Sequence, residues 1–460
     1  MPDARAARTP SVIAARLPRV ARPLQEFLST EAAGGILLLA ATVAALFWVN
    51  APFGDTYGDF WSTHIAVDLD VLTLNEPLRV WVNEALMAVF FFVVGLEIKR
   101  ELLRGELAGR RRAALPVAAA LGGMIVPAAI FLAFNGGREG SHGWGIPMAT
   151  DIAFAVGVLS LLGRRVPLSL KVFLLALAIV DDLGAIAVIA LFYSDGIDLA
   201  WLAGAGGMFV LTVVLARANV RHMPVYVAAG VLAWLAMHES GVHPTIAGVV
   251  LGLLTPATPY YNEDQLEDTA AGYAGEFQRG RAAATRDGDE RALAALRALE
   301  DLSRDSRAPL DRLEHALHPW TSYAVIPIFA LANAGVALDA DSISSAAQSP
   351  VTGGVALGLM LGKPAGVLLF SWLAVRLGLA TLPASARWPQ VAGIAVVAGI
   401  GFTVSLFIGG LAFDDPALVD DAKIGILAGS AIMGAAGFLT LRATSTRRSV
   451  ATEAARPANG

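Results

Sequence analysis

About a dozen stretches of roughly twenty mainly apolar residues recur along this chain, and few of them carry a charge. A stretch of that length crosses the hydrocarbon of a bilayer as a helix. There a helix satisfies its own backbone polar groups, so runs of this kind point to a polytopic helical membrane protein. The expected spans lie near 32–50, 80–104, 114–134, 145–163, 168–193, 199–217, 224–238, 243–255, 319–336, 352–376, 390–413 and 422–442. Composition agrees: only 16% of the 460 residues are charged, against about 25% in a soluble domain. The fold class is an all-α polytopic membrane protein of about twelve transmembrane helices. Cysteine is absent, which excludes disulfides, thiolate metal sites and thiol chemistry. A net charge of −5 gives no reason to expect a nucleic-acid partner.

The connections alternate in charge. The N-terminus is Arg-rich (Arg5, Arg8, Arg16, Arg19, Arg22), residues 51–79 are acidic, and the next connection carries Lys99, Arg100, Arg104 and Arg110–Arg112. The alternation continues to a basic C-terminal tail, so both termini are expected in the cytoplasm, in keeping with an even number of spans. The Arg-rich start before Ala32–Val49 imitates a signal peptide, but no compelling cleavage site follows, and the run is taken as an uncleaved first span. The expected organisation is a cytoplasmic tail (1–28), a transmembrane domain (29–442) and a second cytoplasmic tail (443–460). Two connections are more than turns. Residues 60–75 alternate apolar and polar residues around β-formers and predict a small extracellular β-hairpin, whose edge could pair with a second copy. Residues 256–318 form a long polar cytoplasmic loop with 13 acids and 8 arginines. Its first half is expected to be disordered. Its second half, Asp289–Asp305, aligns Leu293, Leu296, Leu299 and Leu302 as a surface helix.

Charges inside the apolar runs carry the functional signal. Asp181 and Asp182 stand together in a segment that is otherwise apolar from Val172 to Tyr193. An unpaired carboxylate at that depth costs roughly 2.5–3.5 kcal/mol. Neighbouring helix positions point about 100° apart, so one carboxylate can face a cavity while the other faces a neighbouring helix. Such a pair titrates as a coupled unit, able to hold protons or a cation. Lys363 also lies far inside its run, with Asp181, Asp182 and Asp151 as candidate partners. Pro147 and Thr150-Asp151 predict a broken helix, and Gly399 and Gly401 beside Thr403 predict a second. Interrupted spans in two halves of a transporter point to a site near the membrane midplane.

Further candidates sit at span ends. Glu97 and Arg100, at i and i+3, can pair, beside Lys99 and Glu101. His243 begins span eight; Glu314, His315 and His318 precede span nine and can join the same charge cluster. No phosphate-binding loop occurs, so ATP-driven transport is not expected. Carboxylates without thiols suit a hard cation. A proton-coupled symporter of a small organic solute is the rival reading. It requires a wider cavity lined by aromatic and cationic groups, and few such residues flank the predicted breaks.

The motifs Gly95-Leu-Glu-Ile-Lys-Arg-Glu101, Ala149-Thr-Asp-Ile-Ala-Phe154, Val180-Asp-Asp-Leu183, Ser240-Gly-Val-His243, Leu313-Glu-His-Ala-Leu-His-Pro-Trp320, Ala332-Asn-Ala-Gly335, Gly362-Lys-Pro364 and Gly401-Phe-Thr-Val-Ser405 occur in this order. Together they resemble the NhaA-type sodium/proton antiporters over about residues 28–442. The resemblance implies an inverted repeat with two crossing discontinuous helices in a twelve-span inner-membrane protein. It implies Asp181 and Asp182 as carriers of Na⁺ or Li⁺ and protons, with Thr150 as a ligand. Lys363 would pair with Asp181, and Asp151 would balance helix ends at the crossing beside Thr403. Glu97, Arg100, His243 and Glu314 would serve pH sensing and gating. It further implies electrogenic exchange, a homodimer through the hairpin, and no cofactor besides the transported ions. The loop 256–318 and both tails depart from the family pattern.

Overall fold

The computed structural model describes residues 21–445, apart from 69–72, Asp195, Asn219, Arg221, Asn262, Ala284 and Ser385. Most of the expected tails, 1–20 and 446–460, therefore lies outside the described residues. Helix α1 (Ala21–Asn50) is followed by the short α2 (Asp55–Trp61) and by strands β1 (His64–Asp68) and β2 (Thr73–Pro77). The strands pair antiparallel, His64 opposite Pro77 and Asp68 opposite Thr73. The hairpin thus lies at 64–77 rather than 60–75: Phe60 and Trp61 close α2, where Trp61 is buried.

Then come α3 (Leu78–Arg104), α4 (Arg110–Asn135), a 3₁₀ segment (Glu139–Met148) and α5 (Ile152–Leu162). The middle of the chain holds α6 (Leu168–Phe192), α7 (Leu199–Arg217), α8 (Met223–Glu239) and α9 (Thr245–Leu254). Helices α10 (Glu263–Ala282), α11 (Arg286–Asp305), α12 (Pro309–Trp320), α13 (Ile326–Asn333) and α14 (Ala340–Gln348) follow. The chain closes with α15 (Pro350–Arg376), α16 (Trp388–Val397), α17 (Phe402–Ala412) and α18 (Pro416–Thr444). Local chemistry sets many boundaries. Asp198 accepts hydrogen bonds from the amides of Ala200 and Trp201 and so caps α7, and Gly163, at φ +56°, ends α5.

Among the described residues, seven helices are long and apolar enough to cross a membrane. The 3₁₀ segment with α5, and α16 with α17, each pass that test as a pair but bend by 40° and 45° at their breaks. The regions expected to span near 224–238, 243–255 and 319–336 are shorter or interrupted. Helix α9 has only 10 residues, and a π-turn (Thr321–Val325) separates α12 from α13 just after Pro319, which cannot donate to the regular ladder.

Small residues let the helices approach. Across α3 and α9 a Cβ added at Gly95 would lie 2.6 Å from the Val249 carbonyl oxygen. Gly122 of α4 and Gly366 of α15 each face the other's carbonyl oxygen, with no room for a side chain. That contact seats α15 against α4 and carries Lys363, one turn before Gly366, into the interior. A π-turn (Gly358–Gly362) ends directly before Lys363-Pro364.

The loop 256–318 corrects one expectation. Its first half is not disordered; it contributes α10, which packs along α11 as a helical hairpin. Low hydropathy hid this packing, because its contacts use Ala and Gly: Ala292 and Ala295 are buried, and Gly280 and Gly288 meet backbone to backbone. In α11, Leu302 is buried while Leu293 and Leu296 stay exposed.

Candidate functional site at the crossing of two broken helices

The two breaks touch. Residues 149–151 leave the 3₁₀ segment before α5 starts, and 398–401 separate α16 from α17. The Asp151 amide donates to the Ile400 carbonyl at 2.7 Å, and the Ser405 hydroxyl to the Ile146 carbonyl at 2.7 Å. Unwound backbone has groups without helical partners; here each break supplies partners for the other.

Asp151 sits between two helix starts. Its Oδ1 accepts from the Phe154 amide of α5 at 2.8 Å. Its Oδ2 accepts from the Thr403 amide and hydroxyl of α17 at 3.0 and 2.6 Å. One carboxylate thus caps two helix N-termini, where amide donors and the helix dipole favour negative charge. Lys363 does the reverse: its ammonium donates to the Met148 carbonyl, at the C-terminal end of the 3₁₀ segment, and to Asp181 Oδ2 at 2.7 Å. Both Lys363 and Asp181 are fully buried, which resolves the three candidate partners in favour of Asp181. Thr150 Oγ1 lies 2.7 Å from Asp181 Oδ2 and 2.9 Å from the Ala398 carbonyl oxygen.

Asp182 points elsewhere. It lines a cavity of about 40 Å³ together with Thr150, Asp151, Glu97, Glu31, His318 and Thr403. That space holds a few waters or a partly hydrated monovalent cation. It is far below the roughly 300–1,000 Å³ of an organic-ligand pocket. Asp182 Oδ1 and Asp181 Oδ1 are buried and receive no hydrogen bond among the described residues. The ~100° between adjacent helix positions thus separates one aspartate held by lysine and threonine from one open to the cavity.

At one end of the cavity Glu97 is buried on α3, 3.9 Å from His318 Nε2. His318 Nε2 also lies 2.9 Å from Glu31 Oε1, which accepts from the Ser322 hydroxyl at 2.7 Å. Arg100 forms an ion pair with Glu314 across 214 residues of sequence. His243 is not part of this cluster. It precedes α9, its Nδ1 lies 2.9 Å from Thr245 Oγ1, and its ring stands edge-on to Phe407 at 5.3 Å. The opposite end of α9 is the one that meets Lys99, through the Leu253 and Thr255 carbonyls.

Glu31 and Ser322 were not legible as site residues. Glu31 opens the first apolar run, where an acid is unremarkable, and a lone Ser in span nine gives no signal. The carbonyls of Met148 and Ala398 carry no side-chain signature; only the Pro and Gly residues beside them hint at exposed backbone.

A sequence profile of the family described as Na⁺/H⁺ antiporter 1 matches residues 25–441. The chain is 49% identical to the Na(+)/H(+) antiporter NhaA of an Anaeromyxobacter species over 95% of this chain and 94% of that protein. It is 47% identical to the protein of the same name from Oleidesulfovibrio alaskensis, over 91% and 93% of the two chains. Identity to the Na(+)/H(+) antiporter NhaA 2 of Syntrophotalea carbinolica is 46%, over 94% and 99%.

Proposed function

The chain belongs to the Na⁺/H⁺ antiporter 1 family of multi-pass membrane proteins, secondary transporters rather than enzymes, and on that premise we propose an electrogenic exchanger that extrudes Na⁺ or Li⁺ against entering protons under pH control. The observation that carries the proposal is the pairing of a cavity-lining Asp182 with a lysine-bound Asp181 at two touching helix breaks. In this reading Asp182 binds the cation, assisted by Asp181 and by the Thr150 hydroxyl oxygen, an oxygen-only donor set suited to a hard cation. Protons released from the aspartates on one side of the membrane make room for the cation. Alternating access exposes it on the other side, where protons displace it. Asp151 and Lys363, with Thr403, compensate the helix ends. Glu97, Arg100 and Glu314 gate the cytoplasmic mouth, and His243, remote from them, would act at the opposite face. The cavity volume speaks against symport of an organic solute.

The proposal includes twelve spans with an inverted repeat, an inner-membrane location and both termini in the cytoplasm, as the loop charges support. Counting α8, α9 and α12–α13 as spans beside the seven long helices and the two bent pairs gives twelve. In this reading the transmembrane domain 29–442 includes the long cytoplasmic loop 256–318, and the cytoplasmic tails 1–28 and 443–460 flank it. Purified protein reconstituted in proteoliposomes tests the exchange: imposed Na⁺ or Li⁺ gradients should drive proton movement that also responds to membrane potential, and K⁺ should not. Equal fluxes at zero and imposed potential would refute electrogenicity. We also propose a homodimer through the exposed strand β1. Deleting residues 64–77 should convert the particle to a monomer in light scattering; an unchanged mass would place the interface elsewhere.

A further inference from the structure

The helical hairpin α10–α11 is set against the transport machinery by a row of charges. Helix α3 and helix α12 face each other in opposite chain directions, joined by three rungs three to four residues apart. Arg104 pairs with Asp311 at 2.9 Å, Arg100 with Glu314, and Glu97 lies 3.9 Å from His318. The innermost rung borders the cavity. The outermost, still exposed, is flanked by the two ends of the inserted loop. Arg104 also donates to the Ala257 carbonyl, the Leu310 amide donates to Pro256, and the Tyr260 amide donates to the Asp305 carbonyl at 3.3 Å. Leu302, Ala308 and Leu310 are buried at this base. Asp305, the last residue of α11, reaches Arg312, in the first turn of α12, at 3.4 Å, and both side chains are only about one-fifth exposed.

One helix therefore touches the inserted hairpin, the end of α3 and the cavity. A displacement of its first turn changes every rung, because side chains at i, i+3 and i+4 share one face of a rigid rod. We propose that Asp305 and Arg312 are positioning residues for transport: through their bridge the α10–α11 hairpin holds the charge rungs between α3 and α12 in register and so sets the pH response at the cavity mouth. The inference rests on the antiporter reading above. Besides the rung residues themselves, the charged groups facing them are Glu101 on α3, 3.7 Å from Arg100, Glu31 on α1, 2.9 Å from His318, and Asp305 on the insert. Arg312 is the cation that the hairpin holds in place among them.

The test uses full-length protein in proteoliposomes, with exchange followed across pH. Arg312→Glu and Asp305→Arg each replace the bridge with a like-charge contact that pushes the first turn of α12 away from the hairpin. Both should therefore move the half-activation pH in the same direction although their charge changes are opposite in sign; opposite shifts would mean a direct charge effect and overturn the positioning role. Each shift of the half-activation pH should be about half a unit. The double variant Asp305→Arg/Arg312→Glu restores the bridge and should return the profile to that of the wild type. Arg297→Glu, an equal charge change farther up α11, should leave it in place. Folding of each variant is read from its thermal melt, and Arg312→Gln paired with Asp305→Asn supplies neutral versions if a charge reversal fails to fold. An unmoved profile in both single variants, or an equal shift with Arg297→Glu, overturns the coupling. A wild type that exchanges no Na⁺ for protons overturns the antiporter reading as well, so the two failures are distinct.

Discussion

Asp182→Asn is expected to abolish Na⁺-dependent dissipation of a pH gradient in everted vesicles while leaving the protein folded. Asparagine has the shape of aspartate but neither releases a proton nor offers a full negative charge to a cation. The structure predicts that the change is mild for the fold. Asp182 accepts no hydrogen bond at Oδ1, so no protein donor there loses its partner. Removing an uncompensated buried charge also lifts a desolvation cost. Loss of exchange with an unchanged melting temperature therefore isolates chemistry from stability. Exchange at wild-type rates would show that the cavity carboxylate is not the carrier.

Lys363→Ala should act on stability and transport together. Its ammonium is the buried partner of Asp181 and a donor to the Met148 carbonyl. Breaking a buried pair by removing one member costs about 3–5 kcal/mol, since the remaining charge stays in the interior without compensation. The lost side-chain stem adds a void beside Gly123, where an added Cβ would lie 3.4 Å from Lys363 Cε. The melting temperature in detergent should fall by several degrees, and vesicle exchange should fall with it. Combining Lys363→Ala with Asp181→Asn removes the stranded charge and should recover part of the stability but none of the transport. A single variant that melts and exchanges like the wild type would mean that the ion pair matters for neither.

Much of this arrangement was legible in the sequence, for a specific reason. A charge inside an apolar run is expensive, so Asp181, Asp182 and Lys363 announced themselves without any neighbour being known. Pro147 and the glycines near 399–401 marked the helix breaks, because both residue types act on the backbone locally. What escaped depends on distance in space. The residues alone do not say that the Asp151 carboxylate reaches Thr403, 252 residues later, which only the family resemblance implied, and nothing pointed to Glu31 meeting His318. The residue pattern left Asp181, Asp182 and Asp151 open as the lysine's partner; the resemblance implied Asp181, and the close seating of α15 on α4 brings the two together. The insert was misjudged where its packing relies on Ala and Gly, which periodicity arguments count weakly. Its leucine-bearing half forms the expected helix α11, but Leu293 and Leu296 stay exposed and Ala292 and Ala295 pack in their place.

The capping of two helices by Asp151 has an arithmetic consequence. Each helix N-terminus carries roughly half a positive elementary charge and each C-terminus half a negative one. Two N-termini meet at Asp151, and their sum is cancelled by its single carboxylate. Two C-terminal ends, at Met148 and Ala398, sum to about one negative charge, equal and opposite to that of the lysine ammonium, which donates to the Met148 carbonyl while the Thr150 hydroxyl meets Ala398. The crossing is then close to neutral before Asp181 and Asp182 are counted. Their deficit is one that no fixed group of the crossing makes good, and only particles arriving from the water on either side can fill it.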